Sequence, residues 1–247
     1  MPWRQMTPCA VSPHCASVVE KRQLSVSSAI GKCSRLECCP SEREVSLMSR
    51  TIDFYFEFSS PYAYLASTRI DALAERQSCG VKWWPYAMGA AMKLTGARPL
   101  TDIPLVGDYA TRDFARSARL LDVPFVLPDP FPVMSLNATR LFYWIADTSE
   151  VSAKQFAERT YRAVFVDGLD IADKPTISGV AGDCGFNAEA AQAALDDPAI
   201  KKLAIEATNK AIGAGVCGAP FFIFEGEPFW GHDRMSVLER WIETGGW

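Results

Sequence analysis

Residues 51–58 alternate: Ile52, Phe54, Phe56 and Phe58 fall on one side, and Asp53, Tyr55 and Glu57 on the other. A period of two is that of a strand with one face toward a core, so the pattern predicts a strand over Thr51–Phe58. Pro61 suits the first turn of a helix, where its missing N–H is not needed. Ala63, Ala66, Ile70, Leu73 and Ala74 then recur at helical spacing and end near Cys79-Gly80. Val81–Tyr86 is a second, aromatic strand, which makes the first unit β-α-β.

From Gly89 to about Gly213 strand signals largely vanish. Tyr109–Leu121, Leu136–Asp147, Ser152–Val166, Ala188–Leu195 and Ala199–Ile212 read as helices. Ser135 and Asn187 are expected N-caps, and Pro198 is expected to open the last of these helices. Val123-Pro124 and Pro128-Asp129-Pro130 read as loops. Strands return in Pro220–Phe224 and Pro228–Trp230, joined by the hairpin signal Glu225-Gly226-Glu227. Asp233 is expected to cap a final helix with an apolar face of Met235, Leu238, Trp241 and Ile242. The order β-α-β, helical block, β-β-α predicts an α/β domain formed by 48–88 and 214–247, with an all-helical domain, 89–213, inserted into it.

The first 47 residues break this pattern. They hold five of the eight cysteines and have no sustained amphipathic period. They read as a disordered leader, or as sequence upstream of a start at Met48. A transit peptide is disfavoured by Glu20, Glu37, Glu42 and Glu44. His14, Cys33, Cys38 and Cys39 match no paired zinc spacing, so no metal site is expected. The cysteines are not spread as a disulfide scaffold requires, which points to the cytoplasm. The net charge of −4 argues against nucleic-acid and anionic-membrane surfaces. No apolar run reaches the roughly 18 residues of a membrane span.

Three places can carry chemistry. Ser60 sits where the first strand meets a helix N-terminus, which stabilises an anion and lowers the pKa of a thiol held there. Its hydroxyl could donate to such a thiolate, although taken alone Ser60 or Ser59 reads as an N-cap. Gly218-Ala219-Pro220 opens a strand, where a cis X-Pro bond would expose backbone groups to a ligand and a trans edge proline is the plainer reading. In Trp230-Gly231-His232-Asp233-Arg234, backbone N–H groups and side chains could hold a carboxylate or an amine. The plainer reading there is an Asp233 cap beside an exposed His232. Only His232 follows the leader, which disfavours a Ser-His-Asp triad. Asp53, Glu57, Asp108, Asp113, Asp170 and Asp173 read as solvated charges or caps.

Together these motifs resemble the 2-hydroxychromene-2-carboxylate isomerases, which group with the kappa-class glutathione transferases and the DsbA-like proteins. The resemblance covers about 51–245. It implies a thioredoxin-like fold, glutathione as cofactor, a small aromatic substrate and a homodimer. By this resemblance Ser60 contacts the glutathione sulfur. Ala219, before a cis Pro220, bonds the tripeptide backbone, while His232 and Asp233 hold its γ-glutamyl end. The implied reaction interconverts 2-hydroxychromene-2-carboxylate and trans-o-hydroxybenzylidenepyruvate in aromatic catabolism. Two departures are Ala97 and Val106, which lack the side chains that many relatives direct to glutathione; Arg98 is adjacent. Alternatives are a kappa-like glutathione transferase and a non-catalytic small-ligand binder. A thiol–disulfide oxidoreductase is disfavoured because Ser59-Ser60-Pro61-Tyr62 stands where a Cys-x-x-Cys is needed.

Overall fold

The computed structural model describes residues 50–247. The leader, with its candidate His14, Cys33, Cys38 and Cys39 set, lies outside the described residues. Four strands form one mixed sheet: β1 (Thr51–Phe56), β2 (Gly80–Pro85), β3 (Phe221–Phe224) and β4 (Glu227–Trp230), in the order β2-β1-β3-β4. β1 runs parallel to β2 and antiparallel to β3, and β3 is antiparallel to β4. The two halves of the chain thus meet along β1. Phe54 lies opposite Trp83 on one side and Phe222 on the other. Its ring packs on theirs at 5.0 and 5.4 Å between centroids.

β1 ends at Phe56, two residues before the predicted strand end, because Glu57–Ser60 form a turn. The expected single helix after it is two, α1 (Pro61–Ser67) and α2 (Ile70–Arg76). The hydroxyls of Ser67 and Thr68 donate back to the carbonyls of Tyr64 and Leu65, at 2.7 and 2.9 Å. Such bonds compete with helix propagation and favour a bend there.

Between β2 and β3 lie α3 (Met88–Thr95), α4 (Val106–Leu120), α5 (Leu136–Ala146), α6 (Glu150–Phe165), α7 (Lys174–Asp183), α8 (Ala188–Ala194) and α9 (Pro198–Gly213). The sequence pattern missed α3 and α7. In α3 only Ala91 is buried, so no apolar stripe announces it. α7 carries Pro175, Gly179 and Gly182, yet Asp173 caps it through the Thr176 N–H at 2.9 Å. Asn187 caps α8 as expected, accepting from Ala190 at 2.8 Å. Ser135 stands at the N-cap position of α5, but its hydroxyl makes no capping bond.

The core is an aromatic seam between β1 and the helices. Phe56 meets Phe142 of α5 at 5.9 Å, and Phe58 meets Tyr161 of α6 at 5.5 Å. Each buried ring contributes roughly 1.5–3 kcal/mol of burial free energy. β3 and β4 turn through Glu225 and Gly226, both at positive φ (+51° and +88°), the two-residue geometry that matches strand twist. The last helix, α10 (Met235–Thr244), buries Met235, Leu238 and Ile242. Asp233 does not cap it. A 3-10 turn, His232–Arg234, leads into α10 and puts Arg234 at the cap position. Among the described residues no helix is long and apolar enough to cross a membrane.

Candidate active site

The turn after β1 is fixed by its backbone. The Ser60 N–H donates to the Glu57 carbonyl at 3.0 Å. Ser60 adopts an extended conformation as the N-cap of α1, and its Oγ accepts from the Ala63 N–H at 3.2 Å. The capping reading is therefore correct. The same hydroxyl donates to the Ala219 carbonyl at 3.0 Å, across 159 residues of sequence. Ser60 is buried, and Ala219, which accepts from it, is partly exposed.

The Ala219–Pro220 peptide is cis. The carbonyl before it, that of Gly218, accepts from the buried Tyr86 hydroxyl at 2.8 Å. A Cβ at Gly218 would lie 2.4 Å from Trp230 Nε1, so any side chain there would displace the exposed indole. The Pro220 carbonyl accepts from the Gly231 N–H at 3.0 Å, which binds the second motif to the third. Gly231 has φ of +110°, and the Asp233 Oδ1 would sit 2.5 Å from any Cβ at that position. Asp233 itself is exposed and pairs with Arg234 at 3.2 Å. Its carboxylate folds back over Gly231 instead of capping α10.

His232 is half-buried and stacks on Tyr62, with centroids 4.8 Å apart and planes 15° from parallel. Burial pulls its imidazole below the usual histidine range, against the opposing pull of the Asp233 and Asp113 carboxylates. It is therefore neutral near pH 7 and able both to donate and to accept. The Tyr62 hydroxyl donates to Asp113 of α4 at 2.6 Å. Burial raises the Tyr62 phenol, and the bond to Asp113 raises it further. Burial alone would raise the Asp113 carboxyl, but the Tyr62 hydroxyl and the Arg116 guanidinium hold it below its ordinary range. Arg116 bonds Asp113 and lies 5.5 Å from the Tyr109 ring centroid. Asp113, expected as a solvated charge, instead fixes the Tyr62 side of the site.

The contacts thus join all three motifs: Ser60 to Ala219, Pro220 to Gly231, and Tyr62 to His232. Ala97 and Arg98 lie exposed in the loop after α3, and Val106 is exposed at the start of α4. Glu57 is a correction to the sequence reading. It is buried, only 5% exposed, not solvated. One carboxylate oxygen accepts the Ser59 N–H at 2.9 Å, and the other accepts the Ser135 hydroxyl. Burial without a cation pushes its pKa up to about 7, although these two bonds pull it down. Glu57 lies past the end of β1, in the turn, and its cover comes from the distant Ser135 and Tyr161, so no local pattern marks its burial.

A mixed sheet with a helix starting at a Ser-Pro turn, set against a cis-proline loop, defines the thioredoxin-like class. The chain belongs to the DSBA-like thioredoxin domain family, whose model matches residues 51–243. It is 30% identical over 197 residues to a 2-hydroxychromene-2-carboxylate isomerase of Sphingobium xenophagum, covering 79% of this chain and 99% of that protein. It is 26% identical to glutathione S-transferase kappa 1 of Caenorhabditis elegans, over 76% of this chain and 88% of that protein. A solved structure of a 2-hydroxychromene-2-carboxylate isomerase superposes with a TM-score of 0.72 at 26% identity, covering 78% of this chain and 95% of that one.

Proposed function

We propose that this protein is a glutathione-dependent isomerase that interconverts 2-hydroxychromene-2-carboxylate and trans-o-hydroxybenzylidenepyruvate. The observation that carries the reading is the contact between the Ser60 hydroxyl and the Ala219 carbonyl. It brings one orientable proton and one backbone acceptor to the same point. Bound glutathione would supply a thiolate able to add to the ring-opened substrate and, after rotation about the former double bond, to leave again and restore it.

Ser60 keeps its capping bond from the Ala63 N–H and turns its proton from the Ala219 carbonyl toward the sulfur. The charge-assisted bond to a thiolate favours that form over the neutral thiol. The Ala219 carbonyl, released from Ser60, is then free to accept an N–H of the tripeptide backbone. This exchange leaves neither group unpaired, which matters because an unmet buried polar group costs about 1–3 kcal/mol. Asp233, exposed and held over Gly231, offers a carboxylate to the γ-glutamyl ammonium. The neutral His232 offers a hydrogen bond at the same end, held in place by Tyr62.

Support also comes from the isomerase of known structure, which superposes on this chain, and from sequence similarity to the kappa-class relatives. Ala97 and Val106 offer no polar side chain, so binding rests on Ser60, Ala219, His232 and Asp233. The test is spectrophotometric conversion of 2-hydroxychromene-2-carboxylate with and without glutathione. The expected result is turnover that needs glutathione and is lost in Ser60→Ala. An inactive wild type that conjugates glutathione to electrophiles would establish the kappa-like alternative instead. Glutathione binding with neither activity would establish a ligand binder. The resemblance also carries a cytoplasmic homodimer, which light scattering on the purified protein checks.

A further inference from the structure

Residue 57 is the hub of the turn that presents Ser60. Its carbonyl accepts two bonds, from the Ser60 N–H at 3.0 Å and from the Tyr161 hydroxyl of α6 at 3.1 Å. Its carboxylate accepts two more, from the Ser59 N–H and from the Ser135 hydroxyl at the start of α5. Ser59 completes the link, since its Oγ accepts from the Val133 N–H at 3.1 Å. The turn is thus tied to the 133–135 segment by two bridges and to α6 by a third. No Lys or Arg among the described residues forms an ion pair with Glu57. The titratable groups that face it are Tyr86, just after β2, and Tyr161, both phenols raised by burial and by the Glu57 charge. Neither changes charge near neutrality, so Glu57 alone does.

We propose that Glu57 is a positioning residue for Ser60: its carboxylate locks the Ser60 turn to the start of α5, and its protonation state sets how firmly the hydroxyl is held. The ionised carboxylate accepts from both Ser59 and Ser135. A protonated carboxyl must turn one oxygen into a donor, so the Ser135 hydroxyl has to reverse and that bridge is remade. Burial pushes the carboxyl up to about 7, so the two arrangements exchange near neutral pH. The catalytic consequence rests on the isomerase reading, whereas the lock itself does not.

The experiment uses the full-length protein and two independent readouts. Amide hydrogen exchange at Ser59, Ser60 and Val133 reports the lock without any substrate. Glu57→Ala is expected to lose more than about tenfold in protection at all three, with the amides of α7 unchanged. Glu57→Gln keeps one acceptor and one donor, as the protonated acid does, and is expected to fold and to show protection between that of Glu57→Ala and that of wild type at about pH 8. Ser135→Ala removes the second bridge without touching the turn and serves where Glu57→Ala fails to fold. It is expected to lose protection at Ser59.

The second readout is the pH profile of glutathione-dependent turnover from about pH 5.5 to about pH 8.5. A rise in kcat centred near pH 7 is expected to be larger in wild type than in Glu57→Gln, since the titrations of His232 and of the glutathione thiol are common to both proteins and only that of Glu57 is removed. Identical profiles in the two proteins, or wild-type exchange in Ser135→Ala, would overturn the proposal. A wild type with no turnover would instead refute the isomerase reading and leave exchange to decide the lock.

Discussion

The Ser60 hydroxyl donates to the Ala219 carbonyl at 3.0 Å, although the two residues stand 159 positions apart. The contact joins the start of α1 to the loop that enters β3, and so ties the first half of the sheet to the second. Ser60 has two separable roles, a cap and a hydrogen-bond donor. Removing it should therefore have two separable costs.

Ser60→Ala is expected to lose about 1 kcal/mol of stability, the usual cost of an N-cap. Glutathione-dependent turnover is expected to fall by about 100-fold or more, in line with loss of a group that meets developing charge. Urea unfolding and steady-state kinetics on the same preparation separate the two. An equal loss of activity and of folded protein would reduce Ser60 to a cap.

Tyr62 covers His232, and this can be read directly, because the chain has only two histidines. The imidazole of His232 is expected to titrate below the usual 6.5 in wild type. In Tyr62→Ala the ring becomes accessible to water, and its pKa is expected to move up toward the ordinary value. Proton NMR of the histidine ring resonances checks this. Tyr62→Phe keeps the stack and loses only the bond to Asp113, so it should leave His232 close to wild type.

Glu57 makes stability depend on pH. Its pKa is raised from 4.5 to about 7 in the folded protein. Between these values the folded state binds more protons than the unfolded one, so stability falls as pH rises. The contribution is fully present below about pH 4.5 and is lost as pH rises through about 7. At about 1.4 kcal/mol per unit, the change is on the order of 3 kcal/mol. Chemical unfolding of wild type and Glu57→Gln at a series of pH values checks it: the variant curve should be flatter across this window.

Gly107 is expected to resist substitution for a purely steric reason. A Cβ there would lie 2.5 Å from the Thr101 carbonyl oxygen, a backbone atom that cannot swing aside. Gly107→Ala must push the 3-10 turn Leu100–Asp102 away from α4, at a cost of roughly 1–3 kcal/mol. Thermal unfolding measures it. Gly89→Ala, where a Cβ meets nothing within 4 Å, is the control and should be neutral or slightly stabilising.

The alternation in 51–58 was enough to find β1, and the switch from period two to helical spacing found the strand-to-helix turn that carries Ser60. Both are local patterns written in consecutive residues. The burial of Glu57 was not legible, because alternation tells which residues share a face and not what covers that face. Its cover comes from Ser135 and Tyr161, which are 78 and 104 residues away. The Tyr62–Asp113 bond is of the same kind, spanning 51 positions. Asp233 misled for a different reason. An aspartate before an apolar helical stripe has the same signature whether it caps the helix or sits in a 3-10 turn leading into it.

The placement of β1 between β2 and β3 has a consequence in time. At about 5–20 residues per second, a ribosome completes Ser60 roughly 8–30 s before it reaches Ala219. Through that interval β1 has β2 on one edge and nothing on the other, and the ring of Phe54 lacks Phe222, one of its neighbours in the folded protein. The Ser60 turn is made early, but the carbonyl that meets it belongs to one of the last segments synthesised. A growing chain therefore carries an exposed, aromatic strand edge for most of its synthesis, which is the stage at which a chaperone would have something to hold.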